Sequence, residues 1–235
     1  MPDPIIQVLS TRPLSPELIL SAAEKGIGID VIPFIRTEAV EDLTLRQRVG
    51  ILGRQKLVAV FTSANAVEVV GEWTKDVKEW TIFCIGAATR QLVSRHFGEG
   101  AIADTAESAL ALAQKIVNRR GAGDIFFFCG DLRREELPTT LRNAGFRVNE
   151  LVVYQTKATP VVVKRSYEGI IFFSPSAVES FFSVNRVTDG TVFFAIGKTT
   201  AAAVRGFSGN TTVIAEKPDA AVLIRQVINY FQIKQ

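Results

Sequence analysis

The residues in this chain that could do chemistry sit where short apolar runs end. Ser10, Thr11 and Arg12 follow IIQVL; Thr62, Ser63 and Asn65 follow LVAVF; Gly86 and Thr89 follow TIFCI. Gly130, Arg133 and Arg134 follow DIFFFC, and Tyr154 closes the run LVVY. Ser174 and Ser176 follow IIFF, and Gly197, Lys198, Thr199 and Thr200 follow VFFAI. Hydroxyls, glycines and bases dominate, with no carboxylate pair, no Cys and His couple and no metal-ligand cluster among them. A strand-to-helix turn offers unpaired N–H groups and partial positive charge, so several turns of this kind together suit a polyanion. Each also has a plainer reading. Ser63, Ser174 and Thr105 stand where helix N-caps belong, Gly86 and Gly197 where turn glycines do, and Arg12, Arg133 and Arg134 read equally as surface charge. Tyr154 is either an anchor in a half-buried interface or the one ionisable phenol at such a strand end. The single histidine, His96, near the end of a helix in SRHFG, has no catalytic partner in sequence.

The elements that carry these residues follow from hydrophobic pattern. The nearly continuous apolar runs predict strands covered on both faces, as in a parallel sheet. Ser15, Pro16 and Gly26 mark the cap, first residue and stop of a helix between the strand from Ile5 and a strand Asp30 to Ile35. Residues 36–44 read as a polar linker. Beyond them come strand Leu57 to Thr62, helix Ala64 to Trp73, strand Thr81 to Ile85 and helix Ala87 to Phe97. A short strand near Ala101 to Ala103 leads to a helix Ala106 to Arg119, capped by Thr105 and closed by Gly121. After strand Asp124 to Cys129, a helix and strand Val148 to Tyr154, the stretch QTKATP is a second linker.

A repeat organises this order. LVAVFTSANAVEV aligns with GIIFFSPSAVESF so that Ser63 meets Ser174, and the same spacing of 111 residues sets Gly86 on Gly197 and Thr89 on Thr200. GIGIDVIPFI and GFRVNELVVY echo one another 119 residues apart. The order is front, back, front, back. It allows two consecutive domains split near Arg119, or one domain inserted in the other through the two polar linkers, which are the better breakers.

At 235 residues and 47% apolar, the chain has room for two domains with buried cores. No apolar run reaches the roughly 20 residues of a membrane span, and the start lacks a secretory signal pattern, so a cytoplasmic protein is expected. A net charge of +3, dispersed, is too weak to argue for nucleic acid but suits an anionic small molecule. Cys84 and Cys129, inside apolar runs and without metal-site spacing, read as buried hydrophobes.

The segments VFTSANAVE, CIGAATRQLV, FFFCGDLRREELPTTLRNAGFRVNELVVYQT, FFSPSAVESFF and FAIGKTTAAAV, in this order and spacing, resemble the uroporphyrinogen III synthase family. The resemblance runs from Val8 almost to the C-terminus. It implies an α/β fold of two flavodoxin-like domains with parallel sheets, the first built from 1–36 and 157–235, the second, 40–153, inserted through two linker strands. It implies a monomer that holds hydroxymethylbilane, a linear tetrapyrrole octacarboxylate, between the domains and closes it with loss of water and inversion of ring D, without metal or cofactor. The family's important tyrosine falls on Tyr154, and its cleft hydroxyls fall on Ser63, Thr89, Ser174, Ser176 and Thr200. Thr11, Arg12, Thr62, Gly86, Gly130, Arg134, Gly197 and Thr199 complete the expected binding set. Where many members read Thr-Ser-Pro, this chain has Thr62, Ser63 and Ala64. The rival expectation is a non-enzymatic, two-lobed cytoplasmic protein that closes on a small polyanion.

Overall fold

The computed structural model describes residues 6–75, 77, 79–119 and 123–233; the expected helix stop at Gly121 and strand start at Ile5 lie outside them. The chain opens with β1 (Ile6–Ser10), α1 (Pro16–Ala23) and β2 (Ile27–Val31). Pro16 opens α1 with the helical φ already set, and Gly26, at φ 75°, turns the chain after it. β2 ends at Val31, short of Ile35, and Pro33, two residues on, has no N–H to give a ladder. Residues 36–44, expected as a polar linker, carry β3 (Ile35–Ala39) and the start of α2 (Leu43–Leu52), whose cap is Asp42, accepting from the Leu45 N–H at 2.9 Å.

The first repeat copy gives β4 (Leu57–Phe61), α3 (Ala64–Trp73), β5 (Trp80–Ile85), α4 (Ala87–Phe97), β6 (Ile102–Ala106) and α5 (Ala109–Arg119). Thr105 is therefore a strand residue and not a cap. It pairs with Cys84 in the ladder, and the cap of α5 falls to Ser108, which accepts from the Ala111 N–H at 3.2 Å. β7 (Asp124–Gly130), α6 (Glu136–Asn143) and β8 (Arg147–Ala158) follow. β8 continues through the polar residues after Tyr154, so the second linker is itself a strand as far as Ala158. The second copy supplies β9 (Gly169–Phe172), α7 (Pro175–Val184), β10 (Val192–Ala195), α8 (Lys198–Arg205), β11 (Thr212–Ile214) and α9 (Ala220–Ile233).

The chain divides into two compact units, one of residues Met1–Arg36 and Lys157–Gln235, the other of Thr37–Thr156. In the first unit the sheet order is β11-β10-β9-β1-β2, every neighbour parallel. In the second it is β3-β8-β7-β4-β5-β6, with the five strands from β8 to β6 parallel. Setting β6, β5 and β4 on β11, β10 and β9, and β7 and β8 on β1 and β2, superposes the two orders. The units are one flavodoxin-like sheet built twice, with front and back halves exchanged along the chain. Strand order reverses between β9 and β1 in the first unit and between β4 and β7 in the second, and such a switch point opens a crevice at the carboxyl ends of the strands.

Each central strand is buried on both faces. In β4, Leu57, Ala59 and Phe61 pack with α2, α3 and α4, while Val58 and Val60 pack with α5 and α6. Phe61 stacks on Phe128 at 5.2 Å, and Trp80 on Phe128 at 5.5 Å. In the first unit Leu9, Phe172 and Phe193 face α7 and α8, whereas Val8, Ile171 and Phe194 face α9. His96 belongs to this scaffold: its Nε2 lies 2.8 Å from Glu68 and its ring occupies the space that a side chain at Gly71 would need, so it fastens α4 to α3. Cys84 and Cys129 are free and buried. Burial pushes their thiols up to about 11 and about 12, which leaves no thiolate for chemistry at neutral pH.

Candidate functional site

The second unit has a cavity of about 370 Å³ at its switch point. Thr62 and Ser63 reach it from the end of β4, Gly130 from the end of β7, Tyr154 from β8 and Arg134 from the turn before α6. These five expected residues are brought together there. The Tyr154 hydroxyl donates to Ser63 Oγ at 3.1 Å, and Ser63 Oγ also accepts from the Asn65 N–H at 3.2 Å as the N-cap of α3. Ser63 thus couples the phenol to a helix N-terminus, so its capping role and its place in the site are the same role.

Gly130 is explained by Tyr154. A β-carbon at position 130 would stand 2.4 Å from Tyr154 Cζ and 2.8 Å from its Oη, far inside van der Waals contact. The approach arises because the β7–β8 register shifts between Cys129 and Gly130, which pairs Gly130 with Tyr154 itself. The Asp131 carboxylate then ties the corner, accepting from the Leu132 and Thr156 N–H groups at 3.0 Å each.

Arg133 and Arg134 part company. Arg133 is held by Glu150 and by Glu135, the latter at 3.0 Å. Arg134 is exposed, lines the cavity and forms no ion pair among the described residues, which leaves it for an anion. Burial alone raises the pKa of Glu150, but hydrogen bonds from Arg133 and Arg142 outweigh it and hold the carboxyl below its ordinary 4.5. A depressed folded-state pKa stabilises the fold above the unfolded value, and that stability is lost as pH falls through the folded value. Glu150→Gln is expected to flatten the acid limb of stability below about pH 4.5, measured by denaturant titration across pH. A wild-type acid limb in the variant would remove Glu150 from the cause.

The cavity also holds residues that strand-end reasoning missed. Glu107, Ser108 and Ala109 come from the β6–α5 connection, and Glu136 and Leu137 from the first turn of α6. The signal lay in the boundary of α5: beginning the helix at Ala109 rather than Ala106 puts Glu107 in the turn.

Gly86 and Thr89 start α4, and Gly197, Thr199 and Thr200 start α8; neither helix has a side-chain cap. The two turns match residue for residue. Gly86 and Gly197 are half-buried, the next two residues are exposed, and Thr89 and Thr200 are buried. The exposed first turns therefore present backbone N–H groups, the donors that bind anions at helix N-termini. The glycines differ, however. Gly86 has φ 81°, a region costly for other residues, whereas Gly197 at φ −175° is ordinary extended backbone with open space at its β position. Gly86→Ala is expected to cost about 1 to 3 kcal/mol of stability and Gly197→Ala almost nothing, compared by thermal denaturation. Equal losses would contradict the assignment.

At the first unit's switch point, Arg12 lies over the Phe173 ring at 3.9 Å. Desolvation there lowers its pKa while Asp219 opposes the shift, and the guanidinium remains a cation. Ser174 Oγ accepts from the Ala177 N–H at 3.2 Å and lies 3.0 Å from Ser176 Oγ. Thr11 does not belong with them. It is buried, and its hydroxyl donates to the Ile171 carbonyl at 2.8 Å, so it locks β1 to β9 and is closed to a ligand. Among the described residues no cluster of His, Cys, Asp and Glu could hold a metal, and no helix is long and apolar enough to cross a membrane.

Fold and site define a duplicated, doubly wound α/β protein whose switch-point turns suit an anionic ligand. The family model for uroporphyrinogen-III synthase HemD matches residues 17–225, and the chain belongs to that family. Among solved structures, it is similar to a mutant uroporphyrinogen III synthase from the extremely thermophilic bacterium Thermus thermophilus, at 16% identity and a TM-score of 0.65, over 98% of this chain and 100% of that one. It is similar likewise to uroporphyrinogen-III synthetase from Helicobacter pylori, at 16% identity and a TM-score of 0.66, over 96% and 100%. At that identity the likeness concerns the fold, and the family match carries the activity. The chain is an enzyme of tetrapyrrole biosynthesis, a cyclising hydro-lyase that forms uroporphyrinogen III. The expectation of a non-enzymatic binding protein is set aside on that ground.

Proposed function

We propose that the cavity at the β4–β7 switch point is where the hydroxymethyl group of hydroxymethylbilane departs, and that Tyr154 assists it. The observation that carries this reading is the Tyr154 phenol, positioned by Gly130 and hydrogen-bonded to Ser63 inside the cavity. As the C–O bond breaks, the pyrrole nitrogen supplies the electron pair and the phenol gives its proton to the leaving hydroxide, so water departs and an azafulvenium carbon remains. The substituted carbon of ring D attacks that carbon with its ring electron pair, giving a spiro intermediate. Fragmentation and reclosure invert ring D, and the proton lost on rearomatisation returns to the tyrosinate.

Such chemistry needs position more than strong base, and an oriented intramolecular closure gains roughly 7 to 11 kcal/mol. Position comes from the carboxylates of the substrate. In the second unit, which holds the cavity, Arg134 and the α4 first turn receive them; Arg12, Ser174, Ser176 and the α8 first turn are the corresponding anion donors of the first unit. A single chain supplies every residue named, which fits action as a monomer on a soluble octacarboxylate, and we place the enzyme in the cytoplasm.

The test is to mix the protein with hydroxymethylbilane, oxidise the products and separate the isomers. Type III is expected well above the blank. Type I alone, as in the spontaneous reaction, would overturn the reading.

A further inference from the structure

The Tyr154 cavity contains something a site for a polyanion should avoid. Glu107 lines it, is exposed and has no ion-pair partner among the described residues. Glu136 lines it too, but as the first residue of α6 it complements the positive end of that helix, which accounts for an acid there. Glu107 has no such account. It precedes Ser108, and Ser108 already caps α5. Its backbone is fixed, because the carbonyl of the preceding residue, Ala106, accepts from the Gly86 N–H at 3.0 Å. The backbone at 107 is thereby placed one residue from the turn that opens α4, and the unpaired side chain lines the cavity that holds the phenol.

Toward the ground state this carboxylate is unhelpful, since the substrate arrives with many negative charges. Toward the reaction it is complementary. Loss of hydroxide leaves positive charge on the pyrrole nitrogen, and that nitrogen carries an N–H directed away from the ring. We propose that Glu107 is a further catalytic residue, whose carboxylate accepts a hydrogen bond from the pyrrole N–H of the departing ring and stabilises the azafulvenium as it forms. No proton need leave that nitrogen. The C–O pair goes to oxygen with the Tyr154 proton, the nitrogen lone pair becomes the C=N bond, and the carboxylate balances the charge until the ring D carbon attacks. The interaction is stronger in the transition state than in the substrate complex, which is the condition for catalysis.

This inference rests on the reading of the Tyr154 cavity as the site of departure, and its test separates the two. Glu107→Gln, which keeps shape and removes charge, is compared with wild type in steady state, together with Glu107→Asp and Tyr154→Phe. For Glu107→Gln we expect kcat to fall roughly tenfold to a hundredfold. KM should be unchanged or lower, because a repulsive charge has gone. Glu107→Asp should recover part of kcat, the thermal midpoint should stay at the wild-type value, and the residual product should remain type III, since regiochemistry is set by position. An unchanged kcat, a raised KM at unchanged kcat, or a loss of kcat matched by a loss of folded protein would each overturn the role of Glu107. If Tyr154→Phe is silent while Glu107→Gln lowers kcat, the phenol's role fails and Glu107 stands. If both are silent, the cavity is not the reacting site.

Discussion

Replacing Tyr154 with phenylalanine is expected to lower kcat by about 10²-fold while leaving KM and the thermal midpoint near wild type. The change removes one oxygen and nothing else. That oxygen donates to Ser63 at 3.1 Å, and Ser63 keeps its second role, accepting from the Asn65 N–H, without it. The aromatic ring remains to fill the space above Gly130. Catalysis should not vanish, because the pyrrole nitrogen expels hydroxide with its own electrons and the bound geometry is retained. Steady-state kinetics on fresh hydroxymethylbilane measures this, with isomer analysis alongside. An unchanged rate of type III formation would remove Tyr154 from the mechanism.

The second large effect is expected at a residue with no side chain. Gly130→Ala places a β-carbon 2.4 Å from Tyr154 Cζ, so the ring must swing away. The backbone at 130 needs no special φ, and the obstacle is a side chain that can turn, so the fold should survive with a small loss of stability. Activity should fall at least as far as in Tyr154→Phe, since the phenol leaves its position and its ring intrudes on the cavity. The decisive comparison is the double variant. Because both changes act on one group, Gly130→Ala with Tyr154→Phe should be no slower than the slower single variant, a strong departure from additivity. Fully multiplicative losses would mean that Gly130 serves some other purpose.

Why the sequence announced Tyr154 and Ser63 but concealed Gly130's purpose is a matter of range. Strand ends, caps and the duplicated spacing are local or periodic signals, and they located the switch-point turns of both units. The two sheets with exchanged halves were legible from the same repeat, since LVAVF and GIIFF mark the equivalent central strands β4 and β9. The contact between Gly130 and Tyr154, in contrast, depends on a one-residue register shift between β7 and β8. Nothing in FFFCG or LVVYQT encodes that shift in a readable way. Thr11 misled for a related reason: a hydroxyl after a strand can face ligand or neighbour, and here the neighbouring Ile171 carbonyl takes it. Glu107 was hidden by a helix boundary, because Thr105 is as good a cap as Ser108 by type and only the ladder with β5 keeps it in a strand. The polar linkers at β3 and β8 carry no apolar strand pattern, so only the resemblance implied strands there, and a strand needs only backbone pairing.

If the reacting end of the tetrapyrrole lies in the Tyr154 cavity of the second unit, the product must leave its ring there too. A crystal structure of the protein with uroporphyrinogen III, held under reducing conditions, tests this most directly. A pyrrole ring is expected inside the cavity between Thr62 and Glu107, with a ring-bridging carbon near Tyr154 Oη and a carboxylate on Arg134. Product bound with the cavity empty and Tyr154 out of its reach would contradict it.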